Sequence, residues 1–178
     1  MALPDFAKTL IGNEITVGVS KTYSITLTSV PNGNGTSLGA RQSQTIFLGT
    51  SWAQRWRLDT EFEFATAPTA GNSVNLFASF YNSNNAGLGN TSGTDAAYTG
   101  YNNDITNATT HLEFIGSHIC VASATPVVQK CQAGIIFPKG PYMNIVVDNR
   151  SGVAFHSSPT NMVIRLTPLD ESVVESQA

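Results

Sequence analysis

Residues 55–64 constrain the fold more than any other stretch, because apolar and charged side chains alternate along them almost without interruption. Side chains of a β-strand point alternately to the two faces of its sheet, so this period of two predicts a strand with one buried and one polar face. The members expected in the core are Trp56, Leu58, Phe62 and Phe64. The members expected on the opposite face are Arg55, Arg57, Asp59, Glu61 and Glu63.

Shorter apolar or alternating runs recur along the chain, separated by turns rich in Gly, Pro and Asn. They lie at 15–19, 23–27, 45–48, 74–80, 112–115, 119–121, 127–131, 135–137, 143–147 and 161–167. Many short strands between such turns are typical of a sandwich or barrel. We therefore predict one all-β domain over residues 14–168, a two-sheet antiparallel sandwich of the jelly-roll type.

Composition and charge argue against two classes of partner. Charged residues make up only 12% of the chain, with Asn, Thr, Ser and Gly in their place, and the net charge is −3. A nucleic-acid-binding surface needs concentrated basic residues, whereas the nine Lys and Arg are scattered. No apolar run approaches the ~18 residues of a membrane-spanning helix. We predict neither a nucleic-acid nor a membrane partner.

The two ends of the chain are predicted to lie outside the sandwich. Residues 1–13 form an N-terminal arm, and residues 169–178 form an acidic C-terminal tail. In the arm, an apolar stripe follows the i, i+3, i+4, i+7, i+8 spacing of an amphipathic helix: Leu3, Phe6, Ala7, Leu10 and Ile11. A helix this short is unstable alone, so the stripe is expected to pack on its own sandwich or on a neighbouring subunit.

The strongest candidates for catalysis are Asp59, Glu61 and Glu63. Neighbours two apart on a strand lie ~6.7 Å apart at Cα, which allows the carboxyl spacing of a retaining glycosidase. However, Arg55 and Arg57 continue the same row, and such rows usually form cross-strand charge pairs or face another subunit. The nearby aromatic side chains are expected on the other face. We therefore predict an interface here and no catalytic residue.

A metal site is not predicted, and neither is a cofactor. His118 and Cys120 share one strand face, with His111 and Cys131 nearby, but structural zinc sites use two tightly spaced ligand pairs and the second pair is missing. A partly buried His and a core Cys are expected instead. The first residues lack the basic start and apolar run of a secretory signal, so we expect assembly in a cytoplasm with both thiols reduced.

Residues 81–110 form a polar segment without clear periodicity, which is long for a connection and often indicates a functional loop. It contains Tyr81, Tyr98 and Tyr101. Tyr is amphipathic and orders at little entropic cost, so the three are predicted to contact a partner or a sugar. Aromatic packing beneath the loop is the alternative.

Residues 142–152 and 161–170, together with the Asn/Thr/Ser/Gly-rich strands, resemble the closing strands of small β-sandwich proteins from tailed-phage virions. The resemblance is to head decoration (cement) proteins and related tail appendages. It implies a jelly-roll domain, commonly trimeric, that docks on the major capsid protein and reinforces the shell. The expected location is then the capsid surface of a virion assembled in the host cytoplasm.

Two other functions remain open. One is the receptor-binding tip of a phage tail fibre, with residues 81–110 recognising surface glycans. The other is a glycan-active enzyme using Asp59, Glu61 and Glu63. A symmetric homo-oligomer, a trimer above all, is also expected from the long sheet edges that a lone sandwich would leave unpaired.

Overall fold

The structure is a computed structural model, and it describes residues 6–10, 12–33, 39–84, 87–101, 105–123 and 127–175. Its strands are β1 (Phe6–Leu10), β2 (Ile15–Gly18), β3 (Ala40–Gln42), β4 (Ile46–Phe47), β5 (Trp56–Phe64), β6 (Ser73–Tyr81), β7 (Ala96–Ala97), β8 (Glu113–Ile119), β9 (Val127–Ile136), β10 (Tyr142–Arg150), β11 (Val163–Pro168) and β12 (Glu171–Glu175). A short helix α1 (Ile105–Thr109) and a 3-10 turn (Leu88–Asn90) are the helical elements of the described residues.

Two antiparallel sheets pack face to face. Sheet I has the strand order β2-β11-β5-β9, and sheet II has the order β7-β3-β10-β6-β8, with β4 also paired to β10. The pairs are nested: β6 with β8, β5 with β9, β3 and β4 with β10, and β2 with β11. A chain doubled back and wound in this way is a jelly roll. The predicted all-β jelly-roll sandwich is therefore confirmed.

The main core lies between the sheets, and it contains the apolar side chains of β5 that alternate with charged ones in the sequence. Trp56, Leu58, Phe62 and Phe64 are each at most 1% exposed, which confirms their predicted orientation. Trp56 also satisfies its indole, because Nε1 donates a hydrogen bond of 2.9 Å to the carbonyl of Ala53. Each fully buried side chain of this size stabilises the fold by roughly 1.5–3 kcal/mol before its ordering cost.

A second, smaller core lies on the outer face of sheet II. Residues 87–101 and 105–112 cross that face and bury a cluster against it: Ala40, Tyr98, Ala108, Leu112 and Val146, with Phe77 packed alongside. This explains why so long a segment connects β6 with β8. The segment covers an apolar face that would otherwise meet water.

The helix predicted in the N-terminal arm is wrong for residues 6–10. These form β1, which pairs with β12 in antiparallel register from Phe6 opposite Glu175 to Leu10 opposite Glu171. Two turns of helix return too few hydrogen bonds for the nucleation cost, whereas pairing with β12 bonds the backbone groups of β1 that face it. The predicted tail is thus a strand over Glu171–Glu175, and Leu3 and Ile11 lie outside the described residues.

The sheet edges are less open than the sequence suggested. The free edge of β2 is covered by Tyr23, whose backbone accepts a bond from Gly18 N at 2.9 Å and donates one to Thr16 O at 3.2 Å. At the other side of the sandwich, β8 and β9 meet through glycines. A Cβ on Gly116 would lie 2.3 Å from the carbonyl oxygen of Ala133, so only glycine permits this approach. We call the region where β8 and β9 meet, around Gly116 and Ala133, the β8–β9 corner.

Candidate functional site

The charged row of β5 lies on the outer face of sheet I, as predicted, and Glu61 is its centre. Glu61 is 8% exposed, and its carboxylate lies 3.2 Å from Arg165 on β11 and 3.4 Å from Lys130 on β9. Both cations come from neighbouring strands. The predicted cross-strand charge pairs are therefore present, whereas a subunit contact at this face stays a prediction.

The other two carboxylates of the row also have partners. Glu63 accepts a hydrogen bond of 2.9 Å from the Asn161 amide, and the ring of His156 lies 3.5 Å away. Asp59 accepts a 2.7 Å bond from Nε of Arg57. The aromatic side chains nearest in sequence point into the core on the other face of β5. The row is thus a network of paired side chains, and Arg57 and Asp59 also line an open pocket of about 400 Å³.

Arg55 belongs to a different contact. Its backbone N–H and its Nε donate bonds of 2.9 and 2.8 Å to the carboxylate of Asp170. These bonds, the side-chain bond above all, lower the pKa of Asp170. The pair joins the start of β5 to the segment that leads into β12, so Arg55 anchors the C-terminal end rather than extending the charged row.

Cys120 is a core residue, as predicted, and His118 is buried more completely than expected. Both are 1% exposed. Nδ1 of His118 lies 2.8 Å from the hydroxyl of Thr60, and its ring packs on Phe62 at 5.1 Å between centroids. Burial lowers the pKa of His118 to about 4. Burial, and then the neighbouring Cys131, raise the pKa of Cys120 to about 11. In the described parts of the chain, no three His, Cys, Asp or Glu side chains are grouped to hold a metal ion.

Two of the three loop tyrosines are not available for contact, which corrects the prediction. Tyr81 is 7% exposed, with its hydroxyl 2.7 Å from Thr91 and 2.5 Å from Asn144. Tyr98 is 1% exposed and donates a hydrogen bond to the carbonyl of Gly89. Burial raises the pKa of both hydroxyls. They hold the long segment on sheet II, because a buried phenol needs a polar partner and the segment supplies one.

Tyr101 differs from the other two, since it is 37% exposed and stacks edge-on against His111 at 5.4 Å. His111 also forms one wall of an open groove of about 340 Å³. An ion pair of 2.5 Å between Glu113 and Lys139 lies in the same groove, with the apolar side chain of Leu88 nearby. Apolar and hydrogen-bonding groups are therefore mixed here, a combination that suits a small polar ligand.

Most of the exposed large apolar side chains of the described residues lie at the β8–β9 corner. It holds six of their nine exposed large apolar side chains. These are Phe114, Ile119, Val121, Val128, Ile135 and Phe137, at 38–58% exposure. They fall into two groups, one at each end of the corner, because the exposed Lys130 and Gln132 lie between Val128 and Ile135 on β9. Groups of exposed apolar side chains mark protein contacts more often than isolated ones do.

The exposed apolar side chains of the corner were not predicted from the sequence, although adjacent apolar residues in its strands indicated them. Its strands contain adjacent apolar residues, such as Val127 with Val128 and Ile135 with Ile136, and in a strand one of two neighbours must face outward. The backbone around Val121 is also held in place. Gln129 accepts a 3.0 Å bond from Val121 N and donates one of 2.6 Å to its carbonyl.

Comparisons with protein-family models, with curated proteins and with solved structures find no match. Among the described residues, no helix is long and apolar enough to cross a membrane.

Proposed function

We propose that this chain is a structural virion protein that binds and reinforces a phage capsid shell, in the manner of a decoration protein. The observation that carries the proposal is the apolar β8–β9 corner on a closed jelly-roll sandwich. Six exposed apolar side chains, four on β8 and β9 and two just beyond their C-terminal ends, suit a protein surface better than a small ligand. The partner is the major capsid protein, and the place of action is the capsid surface.

The side-chain partners of the three carboxylates in the charged row support a structural function over catalysis. A glycosidase needs one carboxylic acid ready to give up its proton and a cleft that positions a sugar ring. Here Asp59, Glu61 and Glu63 are each bound to a cationic or amide side chain. We therefore do not favour the glycan-active enzyme.

Counting copies in purified particles tests the proposal. Quantitative mass spectrometry would compare this chain with the major capsid protein of the same particles. A decoration protein is expected in hundreds of copies per particle. A complete absence from particles would contradict the proposal, and a handful of copies would favour a position on the tail.

A matched pair of variants would connect this count to the corner. Phe114→Ser with Phe137→Ser should lower the number of bound copies, because it removes the two largest exposed side chains of the surface. Leu88→Ser is the control, since Leu88 is equally exposed at 55% but lies outside the corner.

The groove beside Tyr101 favours a second candidate function, the glycan-recognising tip of a tail fibre. An exposed aromatic pair with a carboxylate and an ammonium group nearby can contact the apolar face and the hydroxyls of a sugar. Binding of the purified chain to immobilised glycans tests this candidate. It should be lost in Tyr101→Ala and kept in the Phe114→Ser, Phe137→Ser variant.

A further inference from the structure

We propose that the outer face of sheet I carries a binding site for a phosphate group, in the open pocket that Arg57 and Asp59 line. The ligand is a phosphate dianion, either free or as the phosphomonoester of a small molecule. This inference goes beyond the proposed function and does not depend on it. Its basis is the placement of three cationic side chains, the balance of charge among them and the space above them.

Three neighbouring strands each bring one cation to the pocket. Arg57 lies on β5, Lys130 on β9 and Arg165 on β11. In the strand register Arg165 is opposite Asp59. Lys130 is opposite Glu61, two residues further along the same face of β5. Because adjacent strands are only ~4.8 Å apart, these long side chains can reach one common ligand over β5.

Two of the cations share a single carboxylate oxygen. Nη1 of Arg165 and Nζ of Lys130 lie 3.2 and 3.4 Å from the same atom, Oε2 of Glu61. Arg57 binds Asp59, so that second pair is balanced. The cluster therefore has three positive and two negative charges, in a chain whose net charge is −3. One positive charge is left without a carboxylate of its own, and an anion in the pocket would be attracted to it.

The cations face solvent, whereas the carboxylate that they share does not. Side-chain exposure is 72% for Lys130 and 36% for Arg165, but 11% for Glu61. Glu61 thus lies beneath the two cations, and a ligand that enters the pocket meets hydrogen-bond donors first. Hydrogen bonds from such charged donors to an anion are roughly twice as strong as neutral ones.

The pocket favours a phosphate over a carboxylate. A phosphomonoester carries up to about twice the charge of a carboxylate at pH 7, so the same cations attract it more strongly. Its oxygens surround one centre and can contact a guanidinium fork and an ammonium group together, whereas one fork is enough for a carboxylate. The pocket volume of about 400 Å³ also leaves room for the group that carries the phosphate.

The phosphate site and the corner use different side chains. Lys130 and Gln132 line the pocket and lie between the two apolar groups of the corner. None of the six exposed apolar side chains of the corner, all of them in described parts of the chain, lines the pocket. Substitutions at the pocket and at the corner should therefore affect phosphate binding and attachment to particles separately.

Isothermal titration calorimetry of the full chain with inorganic phosphate at low salt tests the proposal. We expect a Kd of about 1 mM or below for the wild type. Lys130→Gln should weaken binding roughly 10-fold, because it removes one charge-assisted contact. Lys139→Gln is the matched control, since Lys139 is 71% exposed and also pairs with a glutamate but lies outside this pocket.

Asp59→Asn gives a second test with the opposite sign. It removes a carboxylate from the pocket lining and releases Arg57 from its ion pair, so phosphate should bind several-fold more tightly. A row of charges that only stabilised the sheet would show no such gain.

Glucose 6-phosphate, glucose and acetate identify the chemistry that the pocket recognises. Tighter binding of glucose 6-phosphate than of inorganic phosphate would support a phosphomonoester ligand, and equal binding would support free phosphate. Glucose should not bind, and acetate should bind roughly 10-fold more weakly than phosphate. The proposal would be overturned if neither phosphate compound bound at about 10 mM, if acetate bound as tightly, or if Lys130→Gln left binding unchanged.

Discussion

Gly116 and Gly134 meet backbone to backbone where the two sheets close, and a Cβ placed on Gly134 would lie 3.5 Å from Cα of Gly116. The same Cβ would lie only 2.6 Å from the carbonyl oxygen of Ile115. There is no room for a side chain between the strands here; of the neighbouring residues, Ile115 is buried in the main core and Ile135 is exposed. The absence of side chains at the two glycines thus allows β8 and β9 to approach closely at the corner.

Gly134→Ala should lower the free energy of unfolding by about 1–3 kcal/mol, because the new methyl group forces the two strands apart. Gly71→Ala is the control. Gly71 has a φ of +82° but nothing within 4 Å of its added Cβ, so it reports backbone strain alone, at about 1 kcal/mol. Urea denaturation at pH 7 measures both variants. A Gly134→Ala protein as stable as the wild type would contradict the close contact.

His118 should make the protein less stable in acid. In the unfolded chain it takes up a proton below about pH 6.5, whereas burial keeps it neutral in the fold down to about pH 4. Between these two values unfolding takes up a proton, so stability falls as the pH falls. The contribution of His118 amounts to roughly 3 kcal/mol over this window and changes no further below it.

His118→Asn isolates this contribution from that of the carboxylates, which titrate in the same range. The variant should be less stable than the wild type at pH 7.5, since the ring packs on Phe62. The difference between the two proteins should then shrink as the pH is lowered to 4. Parallel urea titrations across this range give the comparison, and a constant difference would show that His118 is protonated in the fold.

Much of the fold could be predicted from the sequence, because strand alternation reports directly which side chains face the core. The alternation at residues 55–64 oriented β5 correctly and placed Glu61 and Glu63 on the outer face. The prediction from apolar spacing was wrong at Phe6–Leu10. The apolar residues there have the spacing of a helix, but the segment pairs as a strand. The pairing depends on β12, a partner more than 160 residues away, and no local pattern reports such a distant segment.

The tyrosines of the long segment should separate a structural cover from a binding loop. Tyr98→Ala should lower the free energy of unfolding by about 3–5 kcal/mol, because it empties the small core on sheet II and frees the carbonyl of Gly89. Tyr101→Ala, at 37% exposure, should cost less than about 1 kcal/mol. Thermal unfolding of both variants would show the contrast. Equal losses would indicate that Tyr101 is also part of the core.

Replacing Asp59, Glu61 and Glu63 by their amides should lower stability by about 1–3 kcal/mol without changing attachment to particles. The cations that they bind are partly solvated, Lys130 at 72% and Arg165 at 36% side-chain exposure, so each pair contributes little. The loss should be smaller in 1 M salt than in 0.1 M salt. Loss of a glycan-cleaving activity in this variant would overturn the structural assignment of the row.

The site was harder to predict than the fold for a physical reason. Alternation tells which face of a strand points to the core. It does not tell whether the other face is exposed, as at the corner, or covered by another segment, as on sheet II. Tyr81 and Tyr98 looked like contact residues because the segment around them is polar. Their hydroxyls are in fact satisfied within the protein, by Thr91, Asn144 and Gly89.

Hydroxyl-radical footprinting of the corner tests the central claim most directly, because it measures side-chain exposure in the assembled state. Phe114 and Phe137, at 57% and 58% exposure, should be oxidised readily in the dilute free chain and several-fold more slowly on particles. Leu88 and Tyr101 should be labelled equally in both states. Equal labelling of Phe114 and Phe137 in both states, with protection confined to the charged row or to Tyr101, would contradict the corner as the contact surface.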